Sequence, residues 1–372
     1  MHELVLPLVL AVIGDLPYGT SATDTRQFDA APAFIQAINA DARTALVLHV
    51  GDIHSGKQSC TQAYDQAILD QWKAFRPPMV YTPGDNEWAD CHKIKEGGGS
   101  YNAATGAIEH ALDSQGQPVD YAGGDPLANL ELVRSIFFPR PGQSLGRHPI
   151  AVHSQALDYD RAHPTDNRYA ENVWFEQSQV LFLTLNMPGG SNNDTDPWYD
   201  APRMSPVQAQ EVADRTAANL RWLDTGFAQA QARGDAAVLI AMQADMWNLD
   251  DSAPDHIARY QPFIDRIASL TARYGKPVLL INGDSHIYRS DNPLMPGAPC
   301  VTESGAATQA CDDDAYQHQP HGYHVGNFHR IVVHGGTLPL EWLRLTIRPG
   351  VNAADTPTTF GPFSWQRVQP TP

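Results

Sequence analysis

Short runs of consecutive apolar residues alternate along this chain with longer segments in which apolar positions recur every three or four residues. The runs at 8–13 (LVLAVI), 45–50 (ALVLHV), 79–82 (MVYT), 180–186 (VLFLTLN), 238–242 (VLIAM) and 278–282 (VLLIN) are rich in Val, Ile and Leu. Such runs, bounded by Gly or Pro, read as buried strands. Between them, Gln27–Asn39 places Phe28, Ala31, Phe34, Ile35 and Ile38 on one side. Helical spacing also marks Tyr64–Phe75, Leu127–Phe137, Ser205–Arg233 and Gln261–Tyr274. Shorter strands are predicted over Ile150–Ser154, Asn172–Glu176, Phe328–Val333 and Leu340–Ile347. The alternation of strand and helix predicts an α/β sandwich with its helices outside. No repeat and no low-complexity linker divides residues 1–372, which read as one domain. The Gly-, Ala- and Asp-rich stretch 97–125 reads as an insertion or long loop within it.

Four of the apolar runs lead into a Gly-Asp dipeptide: Gly14-Asp15, Gly51-Asp52, Gly84-Asp85 and Gly283-Asp284. If these strands share a sheet edge, their aspartates converge. Clustered carboxylates repel one another, so a cation is expected to hold them together. A single Gly-Asp would be explained as a turn, because both residues favour turns. Four at strand ends point to a metal site.

Composition narrows the choice. A hydrophobic fraction of 42% supports a substantial core, and a net charge of −17 argues against nucleic acid or an anionic membrane as the main partner. Of the four cysteines, Cys60 and Cys91 each follow a Gly-Asp loop, and Cys300 and Cys311 flank a short loop. Neither pair has metal-ligand spacing. Two disulfides and an oxidising compartment are expected, with free thiols as the alternative. No stretch is long enough to span a bilayer. The segment Leu4–Ile13 superficially looks like a signal-peptide core, but no Lys or Arg precedes it and it runs into Gly14-Asp15, so it reads as the first strand. An exported (periplasmic or extracellular) protein would then carry its signal outside this sequence.

Taken in order, Gly14-Asp15, Gly51-Asp52, Pro83-Gly-Asp-Asn-Glu87, Gln243 after a strand, and Gly283-Asp-Ser-His286 resemble the calcineurin-like metallophosphoesterase superfamily. Its pattern is D-x-H, G-D-x-x-D, G-N-H-[DE], a later lone His, and G-H-x-H. The resemblance covers roughly Leu8 to Tyr288. It implies a four-layer α/β/β/α sandwich and a phosphomonoesterase or phosphodiesterase in which one or two divalent ions, about 3.5–4 Å apart when paired, hold an attacking hydroxide. It also implies that Asp15, Asp52 and His286 hold the first ion, that Asp52 bridges, and that Asp85, Gln243 and Asp284 hold the second. A ligand role for Asn86 in a shifted register is the alternative.

The chain departs from the pattern at several positions. Pro17 stands where D-x-H has its histidine, Ser55 where G-D-x-x-D has its second acid, and Asn86 where G-N-H-E has its histidine. Gln243 replaces the lone His and Asp284 the first His of G-H-x-H. Oxygen ligands suit Mg, Ca or Mn better than Zn or Fe, so harder cations are expected. Losing the histidine at Asn86 removes the usual leaving-group acid. Asn86 can still hydrogen-bond a phosphoryl oxygen, and His54 or His92 is a candidate proton donor.

Tyr18 and Arg289 are candidate substrate contacts, since a guanidinium matches phosphate geometry. The competing reading for Arg289 is a strand-edge pair with Asp291. His318, His321, His324, His329 and His334 suggest either a second metal site or surface histidines. Trp88, Trp198 and Trp247 would wall a pocket or pack beneath loops. A small phosphoester is the expected partner. Two other functions compete: a catalytically silent relative that binds a ligand or structural cation, and a metal-assisted hydrolase of a non-phosphate ester. No Gly-x-Ser-x-Gly elbow supports a serine mechanism.

Overall fold

The computed structural model describes residues 7–248, 253–305, 307–311 and 322–370. Among these, two large mixed sheets face each other. In the first, the strands Leu8–Ile13, Thr44–His49 and Pro78–Tyr81 run parallel, and Trp342–Ile347 pairs antiparallel with the first of them. In the second, Val180–Thr184, Ala237–Ala241, Val278–Asn282 and Phe328–Val332 run parallel. Every residue of Leu8–Ile13, Ala237–Ala241 and Val278–Asn282 is buried. Strands covered on both faces read as unbroken apolar runs, which is why they stand out in the sequence.

Three apolar clusters define four layers. Leu10, Val12, Leu46 and Leu48 of the first sheet meet Phe182, Leu239, Leu279 and Ile281 of the second. The outer face of the first sheet packs Ile13, Val47 and Met79 against Phe34, Ile38, Ile68 and Val133, which lie on the helices Arg26–Ala40, Gln62–Trp72 and Pro126–Phe137. The outer face of the second packs Leu183, Val238 and Leu280 against Trp222, Phe227, Phe263 and Ile267 of the helices Pro206–Arg233 and Ala253–Tyr274. The order is α/β/β/α, as the resemblance implies.

Local signals set most element ends. The Ser205 side chain accepts from the Gln208 N–H, Pro206 opens the helix, and Gly234 closes it at φ +77°. The helix ending at Tyr274 starts at Ala253 rather than Gln261. Pro262 imitates a first-turn proline, but the helix runs through it. The segment Ile150–Ser154 contributes only the two-residue strand His153–Ser154. Stretch 97–125 carries its own ribbon, Gly99–Tyr101 against Ile108–His110.

Both sets of parallel strands direct their carboxyl ends to the same edge of the sandwich. The loops that leave these ends hold the four Gly-Asp dipeptides, as expected for ligand sites in sheets of this kind.

Candidate metal centre

Each ligand candidate stands just past a strand, and the backbone there is unusual. Asp15, Asp52, Asp284 and His286 adopt φ of +52°, +59°, +75° and +64°. Non-glycine residues rarely occupy this left-handed region, and such strain, about 1–3 kcal/mol each, gathers at functional sites. Two glycines permit the crowding. A Cβ on Gly84 would lie 1.9 Å from Asp52 Oδ1, and one on Gly283 would lie 2.3 Å from Asp15 Oδ2.

Asp15, Asp52 and His286 come together with ligand atoms all within 4.8 Å of one another. His286 Nε2 is 3.5 Å from Asp15 Oδ1. Asp15 Oδ1 also accepts the Asp284 N–H at 2.8 Å, while its Oδ2 is buried with no hydrogen-bond partner among the described residues. Asp52 Oδ2 accepts from Tyr18 Oη at 2.5 Å, Asn86 Nδ2 at 3.0 Å and Gln243 Nε2 at 3.2 Å. Gln243 Nε2 is also 3.2 Å from Asp85 Oδ1, and Gln243 Oε1 accepts the Gly189 N–H. Asp284 Oδ2 accepts the Asp245 N–H at 2.9 Å.

Burial, reinforced by the neighbouring carboxylates, holds Asp15, Asp52 and Asp284 well above the ordinary carboxylate range and lifts Asp85 to about 7. Three buried carboxyls and the part-buried Asp284 in mutual repulsion, one with a bare oxygen, form a donor set that fits a divalent cation. Asp15, Asp52 and His286 can hold one ion. Asp85, Gln243 and Asp284 lie around the far side of Asp52 and Gly189, where a Cβ would meet Asp284 Oδ1 at 2.5 Å and Asp85 Oδ2 at 2.6 Å.

The other candidates take varied places. Tyr18 sits inside the cluster, its hydroxyl 3.2 Å from His286 Nε2. Burial beside Asp52 raises its phenol well above the usual value. The Asn86 amide is clamped by Asp52 and Tyr18 Oη, the latter at 2.7 Å. His54 is fully buried against the Tyr64 ring, with Nδ1 3.2 Å from the Ser55 carbonyl oxygen, and burial lowers it to about 4. His92 Nδ1 accepts the Tyr199 N–H at 2.8 Å, and burial lowers this ring too.

Arg289 lies on the strand Arg289–Asp291 opposite Val332 and Thr302. Asp291 is held by Arg330, a longer-range partner than the Arg289 of the competing reading. Ser55, at the position of the missing acid, donates its hydroxyl to the Gly19 carbonyl at 2.6 Å.

A second group, Asp90, His92 and Asp196, also brings ligand atoms within 4.8 Å. Lys93 Nζ lies 2.5 Å from Asp90 and 3.2 Å from Asp196, so this group carries its own cation. In the histidine cluster, His318 and His321 lie outside the described residues. His329 and His334 are engaged by Asp355 and Glu303. Trp88 and Trp247 are fully buried packing residues, and Trp198 is nearly so.

Sequence reasoning missed the support behind the Asp284 loop. The buried Arg330 binds Asp291 through two nitrogens and reaches Asp245 with a third. Asp245 in turn accepts from Ser285 Oγ at 2.9 Å and donates its backbone N–H to Asp284. Also unforeseen were the Asp245 carbonyl's contact with His256 and that ring's contact with Ser191. Cys60 and Cys91 are bonded, as are Cys300 and Cys311. The first bridge ties the loop after Asp52 to the loop after Asp85.

A model of the calcineurin-like phosphoesterase family matches residues 8–288. No curated protein matches the chain. Among solved structures, it is similar to the purple acid phosphatase PPD1 from yellow lupin (Lupinus luteus) seeds, at 12% identity and a TM-score of 0.42. That alignment takes in 98% of this chain and 52% of the lupin chain, so this chain spans about half the other's length.

Proposed function

This chain belongs to the calcineurin-like phosphoesterase family, and on that premise we propose that it hydrolyses a small phosphomonoester or phosphodiester at an oxygen-rich divalent-metal site. The observation that carries this reading is the convergence of Asp15, Asp52 and His286, with Oδ2 of Asp15 left bare. Asp15, Asp52 and His286 would hold one ion, and Asp85, Gln243 and Asp284, with Asp52 shared, a second. When bound, the metal supplies Lewis-acid activation of the attacking water and neutralises phosphoryl charge. The carboxylate- and amide-rich set favours Mg, Ca or Mn.

The chain's own groups do the rest. Tyr18 and Gln243 fix the Asp52 carboxylate, and Asn86 presents its amide beside it. The two disulfides support an oxidising, exported setting. Among the described residues no helix is long and apolar enough to cross a membrane.

Asn86 favours a second reading. Its amide, clamped between Asp52 and Tyr18, has no acidic proton to give, and a silent relative that binds a cation structurally would show the same clamp.

The test is elemental analysis before and after chelation, followed by turnover of aryl phosphomonoesters and phosphodiesters with added Mg, Ca, Mn or Zn. Stoichiometric binding and turnover, both lost in Asp52→Ala, support the enzyme. Binding without turnover supports the silent relative. No binding of any cation overturns the enzyme and leaves a silent relative that binds a ligand.

A further inference from the structure

Departing alkoxides need a proton, and the Tyr18 hydroxyl beside Asp52 already gives its hydrogen to that carboxylate. Asn86 carries an amide, and burial keeps His54 neutral at physiological pH. A different pair lies on the other side of Asp284. His256 is 4% exposed, with Nε2 2.9 Å from the Asp245 carbonyl oxygen and Nδ1 3.1 Å from Ser191 Oγ. A carbonyl can only accept, so Nε2 bears a hydrogen and Nδ1 faces the Ser191 hydroxyl. A side chain in hydrogen-bond contact with a histidine that a third group orients is the arrangement found in reactive pairs.

Ser191 is held there by a strained turn. Gly190, Ser191, Asn192 and Asn193 all have φ between +54° and +61°. The turn is fixed by the Tyr260 hydroxyl, which donates to the Pro188 carbonyl and accepts the Asn192 N–H, each at 2.8 Å. Glycine and asparagine tolerate the left-handed region, so the cost falls on Ser191, and such cost is characteristic of functional turns. The turn also covers the metal-site carboxylates, since a Cβ on Gly190 would lie 3.7 Å from Asp85 Oδ2. Beside it opens a cavity of about 200 Å³, lined by Ser191, His256, Thr195, Asn248, Asp196 and Asp284. The metal-site carboxylate Asp284 and the Ser191–His256 pair therefore share one chamber.

We propose that this chamber receives the leaving group, and that Ser191, backed by His256, protonates it. The proposal rests on the phosphoesterase reading and names its proton donor. In the proposed step Nδ1 takes up a proton from solvent through the cavity and donates it to Ser191 Oγ, while Nε2–H stays on the Asp245 carbonyl. The Ser191 hydrogen is then released to point into the cavity. As the bond from phosphorus to the leaving oxygen breaks, its electron pair stays on that oxygen, which takes the Ser191 proton. Ser191 Oγ takes the Nδ1 proton, and His256 is left neutral. The attacking water makes the new P–O bond and gives its proton to solvent. The hydroxyl, amide and carboxylate walls favour a small alcohol as leaving group over a long acyl or alkyl chain.

Leaving-group dependence tests the pair, because nitrophenolate departs without a proton and an alkoxide does not. Turnover of 4-nitrophenyl phosphate and methyl 4-nitrophenyl phosphate is compared with that of propyl phosphate and methyl propyl phosphate. The variants are Ser191→Ala, His256→Gln and Ser191→Gly. Glycine accepts positive φ, so the last removes the hydroxyl without disturbing the turn. The expected result is a loss on the order of 10²-fold in kcat for the propyl esters and under tenfold for the nitrophenyl esters. Equal loss on both classes, or no loss on either, overturns the proposal. If the unmodified protein turns over neither class with any cation, the phosphoesterase reading itself fails, and the proton donor falls with it.

Discussion

The Tyr18 hydroxyl donates to Asp52 Oδ2 at 2.5 Å across 34 positions of sequence, linking the first Gly-Asp loop to the second. The same hydroxyl accepts from Asn86 Nδ2 at 2.7 Å and lies 3.2 Å from His286 Nε2. Tyr18 thus touches three of the groups that define the site. Tyr18→Phe removes the oxygen and keeps the ring. Loss of a hydrogen bond to a ligand of this kind costs about 10–100-fold in metal affinity. Calorimetric titration with Mn is expected to show that loss, with the melting temperature of the chelated protein changed little. Unchanged affinity would place Tyr18 outside the metal machinery.

A site built for a cation should be unstable without one. Burial and the Asp85 charge hold the Asp284 carboxyl far above its usual range. In Asp284→Asn the amide oxygen can still accept the Asp245 N–H, and the amide nitrogen faces the Asp85 side. Asparagine also tolerates the positive φ of this position. Metal affinity should therefore fall while the chelated protein melts roughly 1 °C higher, as about 1 kcal/mol of repulsion is relieved. Thermal scans with chelator and with Mn check both signs. A variant that melts lower in chelator would show that the carboxylates do not repel.

The Cys60–Cys91 bridge closes a separation of 31 residues between the Asp52 and Asp85 loops. A loop of this length is worth about 3–4 kcal/mol in the chain-entropy account. The Cys60→Ser/Cys91→Ser double variant should lose about that much in denaturant unfolding. It should also bind metal more weakly, because Asn86 and Asp85 lie on the released loop. Unaltered stability would mean that buried neighbours, not the bridge, hold these loops.

The legible part of the site was the part encoded locally. Asp15, Asp52, Asp85 and Asp284 announce themselves because each follows a buried apolar run within a few residues; parallel pairing brings the first three to one sheet edge, whereas Asp284 follows a strand of the second sheet and joins them only because the two sheets face each other. The Ser191–His256 contact spans 65 positions, and Arg330 reaches Asp245 across 85. Neither Ser191 nor Arg330 has a flanking pattern that marks it, and their partners are chosen by how the second sheet packs on its helices. Tyr18 is intermediate. It is a candidate substrate contact in the sequence, but its bond to Asp52 depends on the register between two strands. The helix start at Ala253 was hidden for a different reason, since Pro262 carries a boundary signal that tertiary packing overrides.

Asp65 offers a test of pH dependence away from the metal ligands. It lies in the first turn of the helix Gln62–Trp72, buried, with Oδ1 lacking a partner among the described residues. Burial, with the Glu87 charge, pushes its carboxyl up to about 8. In the unfolded chain it titrates near 3.9. Between these values the folded state holds the proton and the unfolded state does not, so stability falls as pH rises from about 4 to about 8. Below that window both states are protonated, and above it both are ionised. Asp65→Asn removes the cost while keeping the shape. The variant should match the parent near pH 4 and exceed it at pH 8 by an amount on the order of 2–4 kcal/mol. Urea unfolding at the two pH values measures the difference directly. A constant offset between the two proteins would show that Asp65 ionises normally in the fold.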